Sequence, residues 1–168
     1  MPMLMNMKMD GVSGDSKSFS HKGWFEVLSW NWGMTSNRKS AHDTGSDKTS
    51  LNEISVIKSI GCDSADIRLL FAQGKVIPAI EFTVIPEVSK KEAKAKYIDI
   101  KIENAVIKSI ITGGALEDSF FKEHITILFE KISIQFTRTS ARSAGVADTA
   151  PVVRDFSWNV VENAEWKN

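Results

Sequence analysis

The sequence predicts a mainly β fold, either a barrel or a sandwich, with one short α-helix. Apolar and polar residues alternate in about seven to nine segments separated by turns, which is typical of strands with one buried face. Only residues 63–74 have the three- and four-residue spacing of a helix. A chain of 168 residues suggests a single domain, residues 1–168. Chains of this size bury about 70% of the surface exposed by the unfolded chain.

Composition narrows the class of protein. The 21 basic and 21 acidic residues give no net charge, so nothing favours a nucleic-acid partner. Cys62 is the single cysteine, which excludes an intrachain disulfide. The first ten residues lack the long apolar run of a signal peptide, and no segment approaches the roughly 18 apolar residues of a membrane span. We therefore expect neither a signal peptide nor membrane insertion.

The N-terminal segment predicts a strand with one flexible apolar face. Four methionines, Met3, Met5, Met7 and Met9, alternate with Leu4, Asn6, Lys8 and Asp10. Residues 11–17, rich in Gly, Ser and Asp, predict a turn after this strand.

Residues 21–33 predict an aromatic strand. With a period of two, one face carries Trp24, Glu26, Leu28, Trp30 and Trp32, and the other carries Phe25, Val27, Ser29 and Asn31. Buried aromatic rings each remove about 150–250 Å² from water, so Trp30 and Trp32 are predicted core anchors. The polar end of the opposite face, Ser29 and Asn31, indicates solvent or a water-filled space.

Residues 34–50 are small and polar without periodicity, which predicts a long loop. It is either a solvated flexible loop or an arm that reaches a neighbouring subunit. Fully extended, the 17 residues could span about 55 Å. The candidate contact residues of such an arm are Thr35, Asn37, Arg38, His42, Asp43, Asp47 and Lys48.

A strand beginning at Ile54 precedes the predicted helix. Within the helix, Ile67, Leu70 and Phe71 share one face, so Leu70 and Phe71 are predicted core anchors. Asp63 or Ser64 can cap the N-terminus, and Gly74 fits the position just after the C-terminus.

The rest of the chain predicts strands. Residues 80–84 alternate and end before Pro86, residues 98–107 continue towards a turn at Gly113 and Gly114, and residues 125–136 form a further strand. Between the first two, residues 90–96 are charged and predict a hairpin loop, or else a short helix. In the third strand, one side is predicted to carry Leu128, Ile132, Ile134 and Phe136.

A polar loop, residues 138–151, precedes the last strand. There, Phe156, Trp158 and Val160 share one face, and Phe156 and Trp158 are the remaining predicted core anchors.

The sequence shows no pattern of a catalytic or metal site. His21, His42 and His124 stand at no metal-ligand spacing, and residues 62–64 lack the glycines and lysine of a phosphate-binding loop. Cys62 is interpreted as an inert side chain. We therefore expect no enzyme activity and no metal or other cofactor.

The chain resembles the Hcp family, the tube-forming proteins of type VI secretion systems. The most specific block is EVLSWNWGM, residues 26–34, preceded by His21. The weaker blocks follow in order: Gly74-Lys75, IENAVIKSI at residues 102–110, Gly113-Gly114, the strand 125–136 and Trp158-Asn159. The Met-rich start, Ala105 and the charged segment 90–96 depart from the family pattern.

The resemblance implies an antiparallel β-barrel with the helix packed at its side. It implies hexameric rings that stack into a tube, contact with a trimeric spike protein and a contractile sheath, and secreted effectors in the lumen, where Ser29 and Asn31 would be candidates for effector contact. It implies assembly in the bacterial cytoplasm followed by secretion. The alternative is a monomeric β-barrel that binds a small ligand or glycan on Trp30 and Trp32.

Overall fold

The computed structural model describes residues 3–16, 21–42, 49–86, 97–138 and 152–166, and these contain eleven strands and one helix. The helix is α1 (Asp63–Ala72). The strands are β1 (Met3–Met9), β2 (Phe25–Glu26), β3 (Ser29–Asn31), β4 (Met34–Ser36), β5 (Thr49–Leu51), β6 (Ile54–Ser59), β7 (Ile77–Pro86), β8 (Ile98–Gly113), β9 (Lys122–Arg138), β10 (Val152–Asn159) and β11 (Ala164–Glu165). The predicted segments 90–96 and 139–151 lie outside the described residues, as does most of the predicted loop tip, residues 43–48.

Nine strands form one sheet in the order β11-β10-β9-β8-β7-β1-β2, and β6 joins it by pairing with both β9 and β3. Every pairing between the described strands is antiparallel. The predicted mainly antiparallel β architecture with one short helix is confirmed. No helix in the described ranges has the length and apolar character needed to cross a membrane.

The aromatic segment, residues 25–31, connects β1 with β6. Its first half pairs with β1, where the Val27 amide donates to the Met5 carbonyl at 2.9 Å. Its second half pairs with β6, where the Leu28 amide donates to the Ile57 carbonyl at 2.8 Å. The path from β1 through β7, β8, β9 and β6 therefore returns to β1 through this one short segment.

The prediction of one aromatic strand with a single buried face is wrong. Phe25 and Val27 are buried, and further on Trp30 and Trp32 pack against the same core. The buried residues change from odd to even positions because the chain exchanges β1 for β6 at Leu28, which is exposed. A strand that changes partner can reverse the face it presents.

A second change of face explains why Leu128 is exposed rather than aligned with Ile132 and Ile134. At this point Asn104 of β8 has a positive φ of 52°, and its side-chain amide donates to Glu130 of β9 at 2.8 Å. The ladder is interrupted at this pair, and the buried positions of β9 change from Ile125 and Ile127 to Ile132 and Ile134. Phe136, predicted on the buried side with them, is exposed because it lies near the strand end beyond the core.

Helix α1 ends as predicted and begins differently. Gly74 has a φ of 60°, and the amides of Gly74 and Lys75 donate to the carbonyls of Phe71 and Leu70, which is a Schellman motif. The N-cap residue is Cys62, and it makes no side-chain capping bond. Asp63 and Ser64 do not cap the helix, because their side chains are buried in the polar cluster described below.

The predicted core anchors lie at the margin of the core rather than at its centre. Five of them are half-buried and pack against it, namely Trp30, Trp32, Leu70, Phe156 and Trp158. Phe71 does not anchor the core: it is 44% exposed, because the helix turns only the face through Ile67 and Leu70 inward. The fully buried side chains are mainly isoleucines of β7, β8 and β9, with Met7, Met9 and Phe25.

Candidate functional site

The three histidines and the cysteine differ in burial. His21 is buried, with its Nε2 atom 3.4 Å from the hydroxyl of Thr83, and its ring meets Trp24 edge-on. His42, His124 and Cys62 are exposed. Among the described residues, no three His, Cys, Asp or Glu side chains are grouped so that they could hold a metal ion.

The most concentrated polar chemistry is a buried ion cluster, which comprises Lys58, Asp63, Ser64, Arg68 and Glu123. Lys58 of β6 is 2% exposed, and its ammonium lies 3.1 Å from carboxylate oxygens of both Asp63 and Glu123. Glu123 of β9 is fully buried and also contacts the guanidinium of Arg68 at 2.9 Å. The ion cluster therefore links the helix to two strands of the sheet.

Hydroxyl and backbone groups complete the ion cluster. The Ser64 hydroxyl donates to Glu123 at 2.7 Å, and the Lys58 ammonium donates to the backbone carbonyl of Ser59 at 2.7 Å. Arg68 donates to the Ser64 carbonyl at 3.0 Å and to the Thr112 hydroxyl at 2.7 Å. A buried charge is tolerated only when it is paired and hydrogen-bonded in this way.

The pKa values of the two carboxylates in the ion cluster are shifted in opposite directions. Burial raises the pKa of Asp63 above its ordinary value, and the hydrogen bond and charge of Lys58 only partly oppose that effect. Burial also acts to raise the pKa of Glu123, but hydrogen bonds from Ser64 and Lys58 and the charges of Lys58 and Arg68 outweigh it and hold that pKa below its ordinary value. As the pH falls, Glu123 therefore stays ionised to a lower pH than Asp63 does.

These ion-cluster residues are absent from the sites predicted by sequence, although a signal was present. Lys58 follows Ile54 and Val56 at the buried period of β6, and Glu123 precedes Ile125 and Ile127 at the buried period of β9. A charged residue in phase with buried apolar ones must either disrupt the core or find a buried partner. Two such residues in two strands indicate an ion pair.

The predicted arm has a paired base. Strands β4 and β5 form a two-stranded sheet of their own, so the prediction of a wholly structureless loop is wrong at its two ends. Of the predicted contact residues, Thr35, Asn37, Arg38 and His42 are exposed. Asp43, Asp47 and Lys48 lie outside the described residues.

The predicted lumen candidates lie on β3. Ser29 and Asn31 are exposed, whereas Trp30 between them packs on the ring of Phe82 at a centroid distance of 5.2 Å. The polar side chains are thus held on a strand whose other face is fixed to the core.

Apolar side chains are exposed on the connection between β8 and β9, near the end of β8 and just after β6. We call Ile60, Ile111, Leu116, Phe120 and Phe121 the hairpin patch. Phe121 is 56% exposed, and its carbonyl accepts the amide of Ile60 at 3.0 Å, so the end of β6 lies beside this connection. Leu116 is fully exposed. A contiguous apolar patch on a protein surface is typical of a site that another molecule covers, and these residues are the candidates for one here.

Comparison with known proteins gives consistent results. The family model described as "Type VI secretion system effector, Hcp" matches residues 6–136. The chain is 26% identical to the protein hcp1 of Pseudomonas aeruginosa over 167 residues, covering 98% of this chain and 99% of the relative. A solved type six secretion system protein has a TM-score of 0.81 at 20% identity, over 97% of this chain and 99% of that one. Hcp1 of Salmonella typhimurium has a TM-score of 0.75 at 20% identity, over 99% and 100%.

Proposed function

The chain belongs to the Hcp family of type VI secretion system proteins, and on that premise we propose that it builds the secretion tube as hexameric rings that stack and carry effectors. The observation that carries the proposal is the family match, which runs from within β1 to within β9. Its role is structural, without a catalytic centre or cofactor. Its partners are further copies of itself, a trimeric spike protein, a contractile sheath and secreted effectors, and it is assembled in the bacterial cytoplasm before secretion.

The hairpin patch supports assembly. Leu116, Phe120 and Phe121 expose apolar surface that a single chain leaves in water. Covering such surface stabilises an assembly by about 25 cal/mol per Å² of apolar area. Leu116→Ser therefore weakens association if a second copy covers the patch, without unfolding the chain, because Leu116 is fully exposed.

The arm is the proposed contact to an adjacent ring or subunit. Its base is fixed by β4 and β5, and Arg38 is exposed beyond them. Arg38→Glu is expected to reduce ring stacking or ring closure, whereas Lys75→Glu, the same charge reversal at an exposed position after the helix, serves as the control. Equal assembly by both variants would argue against a role for the arm.

Ser29 and Asn31 are the proposed effector contacts in the lumen. Both are exposed on β3, so a substitution there can alter cargo without disturbing the core. Asn31→Gln is expected to leave folding and assembly unchanged and to alter effector retention, measured by co-purification. Loss of folding in Asn31→Gln would contradict an exposed role for this residue.

The test of the proposed function is the mass of the purified protein in solution. Six chains of 18.7 kDa give about 112 kDa by light scattering, with ring-shaped particles in negative-stain images of the same fraction. A monomer across a wide concentration range would contradict self-assembly. The alternative of a monomeric binding module is not favoured, because Trp30 and Trp32 pack against the core instead of offering a stacking surface.

A further inference from the structure

The ion cluster and apolar packing both attach helix α1 to the sheet. Of its ten residues, the three that are buried are Asp63, Ser64 and Ile67. Leu70 adds a half-buried contact, and Leu69 and Phe71 are exposed. Two of the three buried side chains of the helix thus belong to the ion cluster.

Within the ion cluster, Glu123 is the anion on which the contacts converge. Its Oε1 atom accepts from Lys58 at 3.1 Å and from Ser64 at 2.7 Å, and its Oε2 atom lies 2.9 Å from Arg68. Ser64 and Arg68 are residues of the helix, whereas Glu123 belongs to the sheet. The carboxylate of Asp63 pairs with Lys58 alone among these groups.

We propose that Glu123 is an acid-labile latch for helix α1: protonation of its carboxylate releases the helix from the sheet while the strands remain paired. Asp63 has a raised pKa and is already neutral when Glu123 takes up a proton, so the buried ammonium of Lys58 then loses its last ionised partner in the ion cluster, whereas Arg68 is 42% exposed and stays hydrated. The remaining nearby charge is Asp15, from the segment between β1 and β2, which acts on Asp63. The charge of Lys58, which is 2% exposed, would then be unpaired in a buried site, where unpaired charge is strongly unfavourable.

Water can reach the ion cluster from one side. A cavity of about 430 Å³ is lined by Lys58 together with Asp15, Glu26, Ser59 and Gly61. Glu123 itself does not line this cavity, and the partly exposed Arg68 beside its Oε2 atom is the other solvent-facing part of the ion cluster. The hydrogen bonds and cations around Glu123 keep its pKa low, so the latch stays closed until the solution is clearly acidic.

Release of the helix has a distinct signature. An isolated helix shorter than about 12–15 residues is only marginally stable in water, so a detached α1 of ten residues melts. Its amides then exchange with solvent, whereas the amides of β8 and β9 stay protected in their ladder. Local opening is thereby separable from global unfolding.

Hydrogen exchange of the full chain, read peptide by peptide and corrected for the intrinsic rate at each pH, tests the latch. At pH 7, Glu123→Gln is expected to lose about ten- to a hundredfold of the protection of α1, the effect of removing a charged hydrogen-bond partner, with β8 unchanged. Glu117→Gln, the same change at an exposed position of the same hairpin, is the control and leaves α1 protected. Asp63→Asn is expected to keep most of the protection, because Glu123 still holds Lys58, Ser64 and Arg68.

A pH series on the unaltered protein covers the case in which Glu123→Gln does not fold. Protection of α1 should fall at a higher pH than protection of β8 and β9. Coincident loss in helix and strands would overturn the proposal, as would wild-type protection of α1 in Glu123→Gln or equal losses in Asp63→Asn and Glu123→Gln. The latch belongs to a single chain, so these results do not depend on whether rings form.

Discussion

Replacing Lys58 by Met tests how strongly the ion cluster stabilises the fold. The substitution keeps the length of the side chain but removes the cation that lies 3.1 Å from both Asp63 and Glu123. Glu123 retains Ser64 and Arg68, whereas Asp63 is left buried without its cation. Breaking a buried pair by removing one partner costs about 3–5 kcal/mol.

That cost is a large share of the total, because domains are stable by only about 5–15 kcal/mol. For a chain of this length each kcal/mol lowers the melting temperature by about 2–4 °C, so Lys58→Met is expected to lose about 6–20 °C. The measurement is thermal and urea denaturation at pH 7, followed by circular dichroism. The deficit should shrink in acid, because the unpaired Asp63 then accepts a proton.

The matched control is Lys8→Met. Lys8 also pairs with a glutamate on a neighbouring strand, Glu81, but the two atoms are 3.9 Å apart and both side chains are more than a third exposed. Such surface pairs contribute less than about 1 kcal/mol. If Lys58→Met cost no more than Lys8→Met, the view that burial makes this cluster decisive would be refuted.

Three further predictions concern the backbone and pH. Gly14→Ala should cost about 1–3 kcal/mol in urea denaturation, because a Cβ atom would lie 2.2 Å from the Trp24 carbonyl, whereas Gly113→Ala, with no atom within 4 Å, should change stability by less than about 0.5 kcal/mol. Asn104→Ala should lose about 1–2 kcal/mol through its positive φ, and Asn104→Gly should recover part of that loss. The folded pKa of Glu123 lies below its ordinary 4.5, since its hydrogen bonds and cations outweigh burial, so its stabilisation is complete above pH 4.5 and is lost as the pH falls through the folded value. Burial raises the pKa of Asp63 above 3.8, so its protonation stabilises the fold as the pH falls, and the drop in the urea midpoint caused by protonation of Glu123 should begin only below pH 4.5.

Most strands and the helix could be predicted from sequence because each rests on local periodicity. The buried Ile80 and Phe82 of β7, and Ile100 and Ile102 of β8, alternate with polar residues as predicted. Gly74 marks the end of the helix through its own conformational freedom. These features need no knowledge of distant partners.

The errors arise where the buried face of a strand reverses. Leu28 stands where the chain exchanges β1 for β6, and Leu128 stands near the irregular pair Asn104 and Glu130, and a pattern read along one strand shows neither reversal. The prediction that Phe71 anchors the core is wrong for a related reason. Its helical spacing is correct, but the ion cluster fixes which face of the helix meets the sheet. Both kinds of information reside in tertiary contacts.

The methionines of β1 differ in burial, so their oxidation would report on opening of the core. Met7 and Met9 are buried, whereas Met3 and Met34 are each 43% exposed. Peroxide would convert the exposed pair to sulfoxides at little cost, but a sulfoxide at Met7 or Met9 places a polar oxygen in the core. Oxidation of the buried pair thus requires prior opening of the core around β1 and then makes its reclosure unfavourable. A brief opening event in the presence of peroxide would therefore leave methionine sulfoxide at Met7 or Met9.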